Sequence, residues 1–375
     1  MTEKHKDLKL NNVIGMSVGK LTGMLADAYC ALIGKGLPLR TLASVMLWGP
    51  PGIGKSRAVK ELAKEIEART GKRTVVTDVR LLLFNPIDLR GIPTANADKT
   101  LAVWLKPKIF QMDESDDVVN ILFLDEISAA PQSVQAAAYQ ITLDRVVGEH
   151  RLPENCIVIA AGNRVTDKSV AYKMPKALAN RLMHIEVESS FESWKEWAVR
   201  NAINEKVTGF LSFKQNSLMC FDPGNDDLAF ATPRSWEMVS DVLNNIEPDI
   251  DAAYPLIAGL IGTGMAVEFR TWSRVYEDLP DIEDIFNGKT PAPPKNTDAM
   301  YALISSMTAY AREHREDMRL IANSIRYAGL LPPDFGVVLM KDYMYLDKDY
   351  KKRLMTLPEF NKWYEKRGGL LNGSI

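Results

Sequence analysis

Five short runs of continuous apolar residues punctuate the first half of the chain, at 44–48, 74–78, 121–125, 157–161 and 183–187. Runs such as Ile-Leu-Phe-Leu and Ile-Val-Ile-Ala-Ala lack the alternation of a half-exposed strand and predict strands covered on both faces. Between them the spacing turns helical. Over 16–32 apolar residues recur at three- and four-residue intervals, placing Leu21, Met24, Leu25, Ala28 and Leu32 on one stripe. The stretch 55–70 is rich in Ala, Glu and Lys, and 131–143 opens on Pro, which suits a first helical turn. Strand alternating with helix predicts an α/β fold with a doubly wound, parallel, five-stranded sheet.

Strand signals stop near residue 188. From there to about 255 the spacing is helical, with FESWKEWAVRNAI and SWEMVSDVLNN as helices and Trp194 and Trp197 as core anchors. A Pro-rich linker at 288–296 divides the rest of the chain, and helical spacing resumes after it with a break at LLPPDF. The expected organisation is an α/β core over 1–188, a helical segment over 189–255 and a mainly helical C-terminal region over 256–375.

Composition narrows the class. The chain has 375 residues, 46% of them hydrophobic, and 46 Lys+Arg against 48 Asp+Glu for a formal net charge of −2. That balance argues against a general polyanion binder and leaves a local basic patch open. Cys30, Cys156 and Cys220 form no CxxC pair, so they predict reduced, mostly buried thiols rather than a zinc site or disulfide framework. The polar stretch 1–12 has no apolar core of a signal peptide, and no run approaches the roughly 18 apolar residues of a membrane span. A soluble, cytoplasmic protein is expected. His5, His150, His184 and His314 are scattered, and His184 reads as a core residue of an apolar strand.

One segment carries definite chemistry. Gly49-Pro50-Pro51-Gly52-Ile53-Gly54-Lys55-Ser56 fits G-x-x-x-x-G-K-[ST], directly after a predicted strand and directly before a predicted helix. Its glycines let backbone N–H groups turn inward around phosphates, and the following helix adds its positive end. Lys55 is placed to reach β- and γ-phosphates and Ser56 to ligate magnesium. About seventy residues on, the strand Ile121-Leu122-Phe123-Leu124 ends in Asp125 and Glu126. Asp125 would sit by the magnesium shell and Glu126 would polarise an attacking water. Asn163, at the end of the strand Ile157-Val158-Ile159-Ala160-Ala161-Gly162, has two readings. It either sits beside the γ-phosphate or caps a turn. No N-K-x-D segment follows the acidic strand, which removes the usual guanine signal.

Taken in order, GPPGIGKS, ILFLDEIS, IVIAAGNR, MPKALANRLMHIEVE and ATPRSWE resemble an AAA+ ATPase, and most closely its MoxR-like branch. DLRGIP at 88–93 and the segment 129–153 resemble that branch too, and the likeness covers about 40–245. The resemblance implies ATP and Mg2+ as ligands, Asp125 and Glu126 as the Walker B pair, and Asn163 as sensor 1. It makes Arg181 an arginine finger that serves a neighbouring subunit and Arg234 the sensor 2 arginine of a helical lid over 189–255. Asp78, with Arg80 as a rival, becomes a candidate for restraining Glu126. The family further implies a homo-hexameric ring and a protein client or a partner with a von Willebrand factor A domain.

Three functions share this machinery: remodelling or maturation of a partner protein complex, a nucleic-acid motor or loader, and a nucleotide-dependent switch without turnover. Balanced charge and the close motif match favour the first. Lys106 and Lys108 are the nearest basic candidates for the second. The full set of Lys55, Asp125, Glu126, Asn163 and Arg181 speaks against the third.

Overall fold

The computed structural model of the chain describes residues 13–167 and 174–372; the polar opening stretch 1–12, with His5, lies outside them. Its strands in chain order are β1 (Ile14–Ser17), β2 (Val45–Trp48), β3 (Arg73–Arg80), β4 (Ile92–Ala95), β5 (Ala102–Leu105), β6 (Val118–Asp125), β7 (Val146–Val147), β8 (His150–Arg151), β9 (Cys156–Gly162) and β10 (Met183–Glu188). Six of them form one parallel sheet in the order β1-β10-β2-β9-β6-β3. The five expected strands are all present. Every residue of β9 is buried, as is all of β6 up to Asp125, and this is why their sequences show no alternation. Each fully buried Ile or Val here contributes about 1.5–3 kcal/mol.

The sixth strand, β1, is a departure from the sequence reading. The helix expected over 16–32 begins at Val18, because the side chain of Ser17 caps it by accepting from the Lys20 N–H at 3.4 Å. The four residues before it pair with β10 instead. A stretch of Ile-Gly-Met-Ser is too short to carry a period of its own.

Five helices accompany this sheet: α1 (Val18–Gly34), α2 (Lys55–Thr70), α3 (Pro86–Arg90), α4 (Gln132–Asp144) and α5 (Lys176–Ala179). Helix α2 buries Ala58, Val59, Leu62, Ala63 and Ile66 at helical spacing. It stops at Gly71, whose φ of 71° closes the last turn by an N–H bond to the Glu67 carbonyl. In α4, Pro131 is the N-cap rather than part of the first turn. The segment DLRGIP, unassigned by its pattern, becomes the end of α3 and the start of the antiparallel hairpin β4–β5.

The described residues fall into two compact units, 13–190 with Asp222–Asn225, and Phe191–Phe221 with 226–372. The second is helical throughout: α6 (Phe191–Arg200), α7 (Glu205–Phe213), α8 (Pro233–Asn245), α9 (Ile250–Ile261), α10 (Thr263–Ser273), α11 (Ile282–Phe286), α12 (Thr297–Glu313), α13 (Met318–Ala328), α14 (Pro333–Tyr345), α15 (Lys348–Thr356) and α16 (Pro358–Asn372). Two hydrophobic cores serve it. One gathers Trp194, Phe210, Trp236, Phe269 and Trp272, with Trp197 packed against it. The other gathers Phe286, Met300, Leu303, Tyr343 and Trp363.

Helix α9 runs straight across residue 255, and the first core continues to Trp272. The Pro-rich stretch 288–296 does not separate domains, since Phe286 before it and Met300 after it share one core. It is a loop joining α11 to α12. Of the thiols, Cys156 is buried, Cys30 half-buried and Cys220 exposed, so the expectation of mostly buried thiols fails at Cys220.

Candidate active site

The phosphate-loop motif lies where a doubly wound sheet offers a crevice, at the carboxyl ends of its strands and beside a change in strand order. β2 ends at Trp48, the chain runs through Gly49 to Gly54, and α2 starts at Lys55. Gly52 and Gly54 hold φ of 76° and 110°, a left-handed backbone that a side chain would strain. Gly54 is also the N-cap of α2 and no side chain caps that end, so the first-turn N–H groups of the helix face the loop.

The buried Lys55 ammonium donates to the Gly49 carbonyl at 2.6 Å, to the Pro50 carbonyl at 3.1 Å and to Asn163 Oδ1 at 2.9 Å. The Ser56 hydroxyl donates to Asp125 Oδ2 at 3.0 Å. The loop, the acidic strand end and Asn163 are thereby brought into one cluster from β2, β6 and β9. Asp125 also accepts, through Oδ1, the N–H of Glu126 at 2.9 Å. Glu126 itself stands at φ 59°, left-handed and rare for a residue with a side chain. Its turn is held by the Ala129 N–H bonding to the Glu126 carbonyl at 3.0 Å and by the Ile127 N–H bonding to the Ala161 carbonyl of β9 at 2.9 Å.

Several supporting groups escaped the sequence reading. The buried Ser128 hydroxyl accepts the Asn163 N–H at 2.9 Å. A Cβ on Gly162 would come within 2.7 Å of that hydroxyl, so the close approach requires glycine. Arg164, next after Asn163, is buried in a charged group: its N–H and Nε donate to Asp167 at 2.8 and 3.0 Å, and its Nη1 pairs with Glu186 of β10. Apart from the local Arg164–Asp167 pair, these contacts join segments far apart in sequence, so no local motif announces them.

Asp78 is exposed on β3. Burial of its carboxyl, followed by the charge of Asp125, raises it above the usual aspartate range, with Arg80 and Lys60 opposing. Arg80 is the register partner of Asp125. Arg181 is exposed in the turn between α5 and β10, ahead of the amino end of that strand. The loop cluster lies past the carboxyl ends. Since Met183 pairs in register with Val45, the whole of β2, about 13 Å of strand, lies between the two levels. Arg234 is exposed in the first turn of α8 and belongs to the second unit. His184, which the sequence presents as a plain core residue, is half-buried instead, and both ring nitrogens are engaged.

Among the described residues no group of three or more His, Cys, Asp or Glu is placed to hold a metal by itself, and no helix is long and apolar enough to cross a membrane. Ser56 and Asp125, two adjacent hard oxygen donors beside a phosphate loop, do suit magnesium. That ion takes one or two protein oxygens and completes its shell with phosphate and water.

Residues 44–184 match the family model described as "ATPase family associated with various cellular activities (AAA)". A search among curated proteins finds no match. Solved structures similar to this chain include a mutant of RuvB from Thermotoga maritima, at 17% identity and TM-score 0.35 over 78% of this chain and 83% of that one. Another is NtrX from Brucella abortus in complex with ADP, at 15% identity and TM-score 0.33 over 91% and 70%. The phosphate loop, the acidic strand end and Asn163 all lie inside the matched segment 44–184.

Proposed function

We propose that this chain binds ATP with magnesium, hydrolyses it, and couples the cycle to remodelling or maturation of a partner protein complex, as MoxR-like ATPases do. The observation that carries the reading is the convergence of Lys55, Ser56, Asp125 and Asn163 through bonds of 2.9 to 3.0 Å at the ends of three strands. In this reading Gly49, Pro50, Pro51, Gly52, Ile53 and Gly54 wrap the phosphates with backbone N–H groups. Lys55 leaves its carbonyl partners for the β- and γ-phosphates. Ser56 and Asp125 hold the magnesium, which neutralises charge on the phosphate oxygens when bound. Glu126 accepts a proton from the attacking water and Asn163 orients that water beside the γ-phosphate.

Arg181 acts on a neighbouring subunit. Its position, a strand's length from its own chain's loop, supports this, and a guanidinium can fork onto the charge that develops on the transferred phosphoryl group. Arg234 carries the sensor 2 role that its motif ATPRSW gives it, within a lid over 189–255. The working form is then a ring, a homo-hexamer by family habit, acting on a protein client or a partner with a von Willebrand factor A domain in the cytoplasm.

The test is ATPase rate against protein concentration, with mass photometry, for wild type and Arg181→Ala. Specific activity should climb as rings form and fall by about 10³-fold in the mutant, at unchanged nucleotide affinity. Flat activity from a monomer, indifferent to the mutation, would overturn the reading.

A further inference from the structure

Trp48 is the last residue of β2 and leads into the phosphate loop. Its indole lies edge to edge with His184 of the adjacent β10, with centroids 6.0 Å apart and planes inclined by 18°. Trp48 Nε1 donates to His184 Nδ1 at 2.9 Å. An indole nitrogen can only donate, so Nδ1 is the acceptor and the imidazole proton sits on Nε2. Nε2 lies 2.7 Å from the Ala179 carbonyl, to which it donates. Ala179 ends α5, two residues before Arg181, and the same carbonyl accepts the Leu182 N–H at 3.2 Å.

One neutral ring therefore links Trp48 to the Ala179 carbonyl. In register His184 pairs with Met46, midway along β2. Its Nδ1 side is fastened to the residue that enters the chain's own phosphate loop. Its Nε2 side is fastened to the turn that carries Arg181. That turn has little stiffness of its own, since α5 is only four residues long.

We propose that His184 is a positioning residue for Arg181, fixing the finger turn against the strand that ends in the same subunit's phosphate loop. The proposal rests on the trans reading of Arg181 given above. A shift of Trp48 as the loop grips or releases phosphate passes through a planar, doubly bonded ring to the arginine offered to the next subunit. Each subunit's own site is thereby linked to the site it helps to complete.

His184→Asn and His184→Gln, alone and combined with Arg181→Ala, test this. An Asn carbonyl can take the place of Nδ1 but its amide falls short of Ala179, whereas the longer Gln amide can reach the place of Nε2. His184→Asn should lower kcat about tenfold, the scale of one lost hydrogen bond, with KM, binding of a fluorescent ATP analogue and ring mass unchanged within about twofold. His184→Gln should recover most of that loss. Neither should slow Arg181→Ala any further. Trp48→Phe keeps an aromatic ring and removes only the indole N–H; it should likewise lower kcat alone, without altering β10. Wild-type kcat in both His184→Asn and Trp48→Phe would overturn the relay, as would losses that multiply in the Arg181→Ala background. A fully active Arg181→Ala protein would instead overturn the trans reading, and the relay with it.

Discussion

Glu126 pays a conformational cost to stand where it does. A left-handed turn costs an ordinary residue about 1–2 kcal/mol, and here the bonds through Asp125, Ala129 and Ala161 hold it in place. Glu126→Gln keeps size and backbone preference while removing the carboxylate proposed to accept the water's proton. Filter binding should show ATP retained, and steady-state turnover should drop to roughly 1% or less. Lys55→Ala should abolish measurable ATP binding by the same assay. Near-normal turnover in Glu126→Gln would assign the water to another group. The places of Lys55 after a strand and loop and of Glu126 at a strand end were legible in sequence because GPPGIGKS and FLDE each lie within a few consecutive residues. Ser128, the Arg164–Asp167–Glu186 group and the Trp48–His184 pair were not. Their meaning depends on which strand lies beside which, and on register to the residue.

At the scale of elements, the strands were legible because burial on both faces writes itself as unbroken apolar runs. Helix α2 was legible because its composition and the loop before it agree. What the pattern missed is short or interrupted: β1, with four residues, and α9, which carries Pro255 within it. Pairings between distant helices were also out of reach. Lys195 of α6 and Asp342 of α14 are both almost wholly buried, 2.8 Å apart. Burial raises the Asp342 carboxyl above its ordinary range and Lys195 pulls it back. Removing one partner leaves a buried charge alone, so Lys195→Met should cost about 3 kcal/mol in urea unfolding. The double variant Lys195→Met with Asp342→Leu should cost less than the single one. An additive double variant would show that the pair is not coupled.

For the whole molecule, the balance of 46 basic against 48 acidic residues bears on the choice of client. Lys106 is half-buried and only Lys108 of that pair is exposed. Duplex or single-stranded DNA should therefore change the ATPase rate by less than about twofold; strong, salt-sensitive stimulation would bring the nucleic-acid motor forward. The margins of the sheet bear on how copies of the chain associate. One edge strand, β1, is four residues long, and the other, β3, carries the exposed Arg73, Asp78 and Arg80. Brief edges and charged edges both discourage the addition of a foreign strand. Copies gathering into a ring would then meet through side chains rather than splice their sheets into one. Joints of that kind can loosen and re-form at every turnover without unravelling either fold, and they leave little template for a misdirected, fibre-like stack.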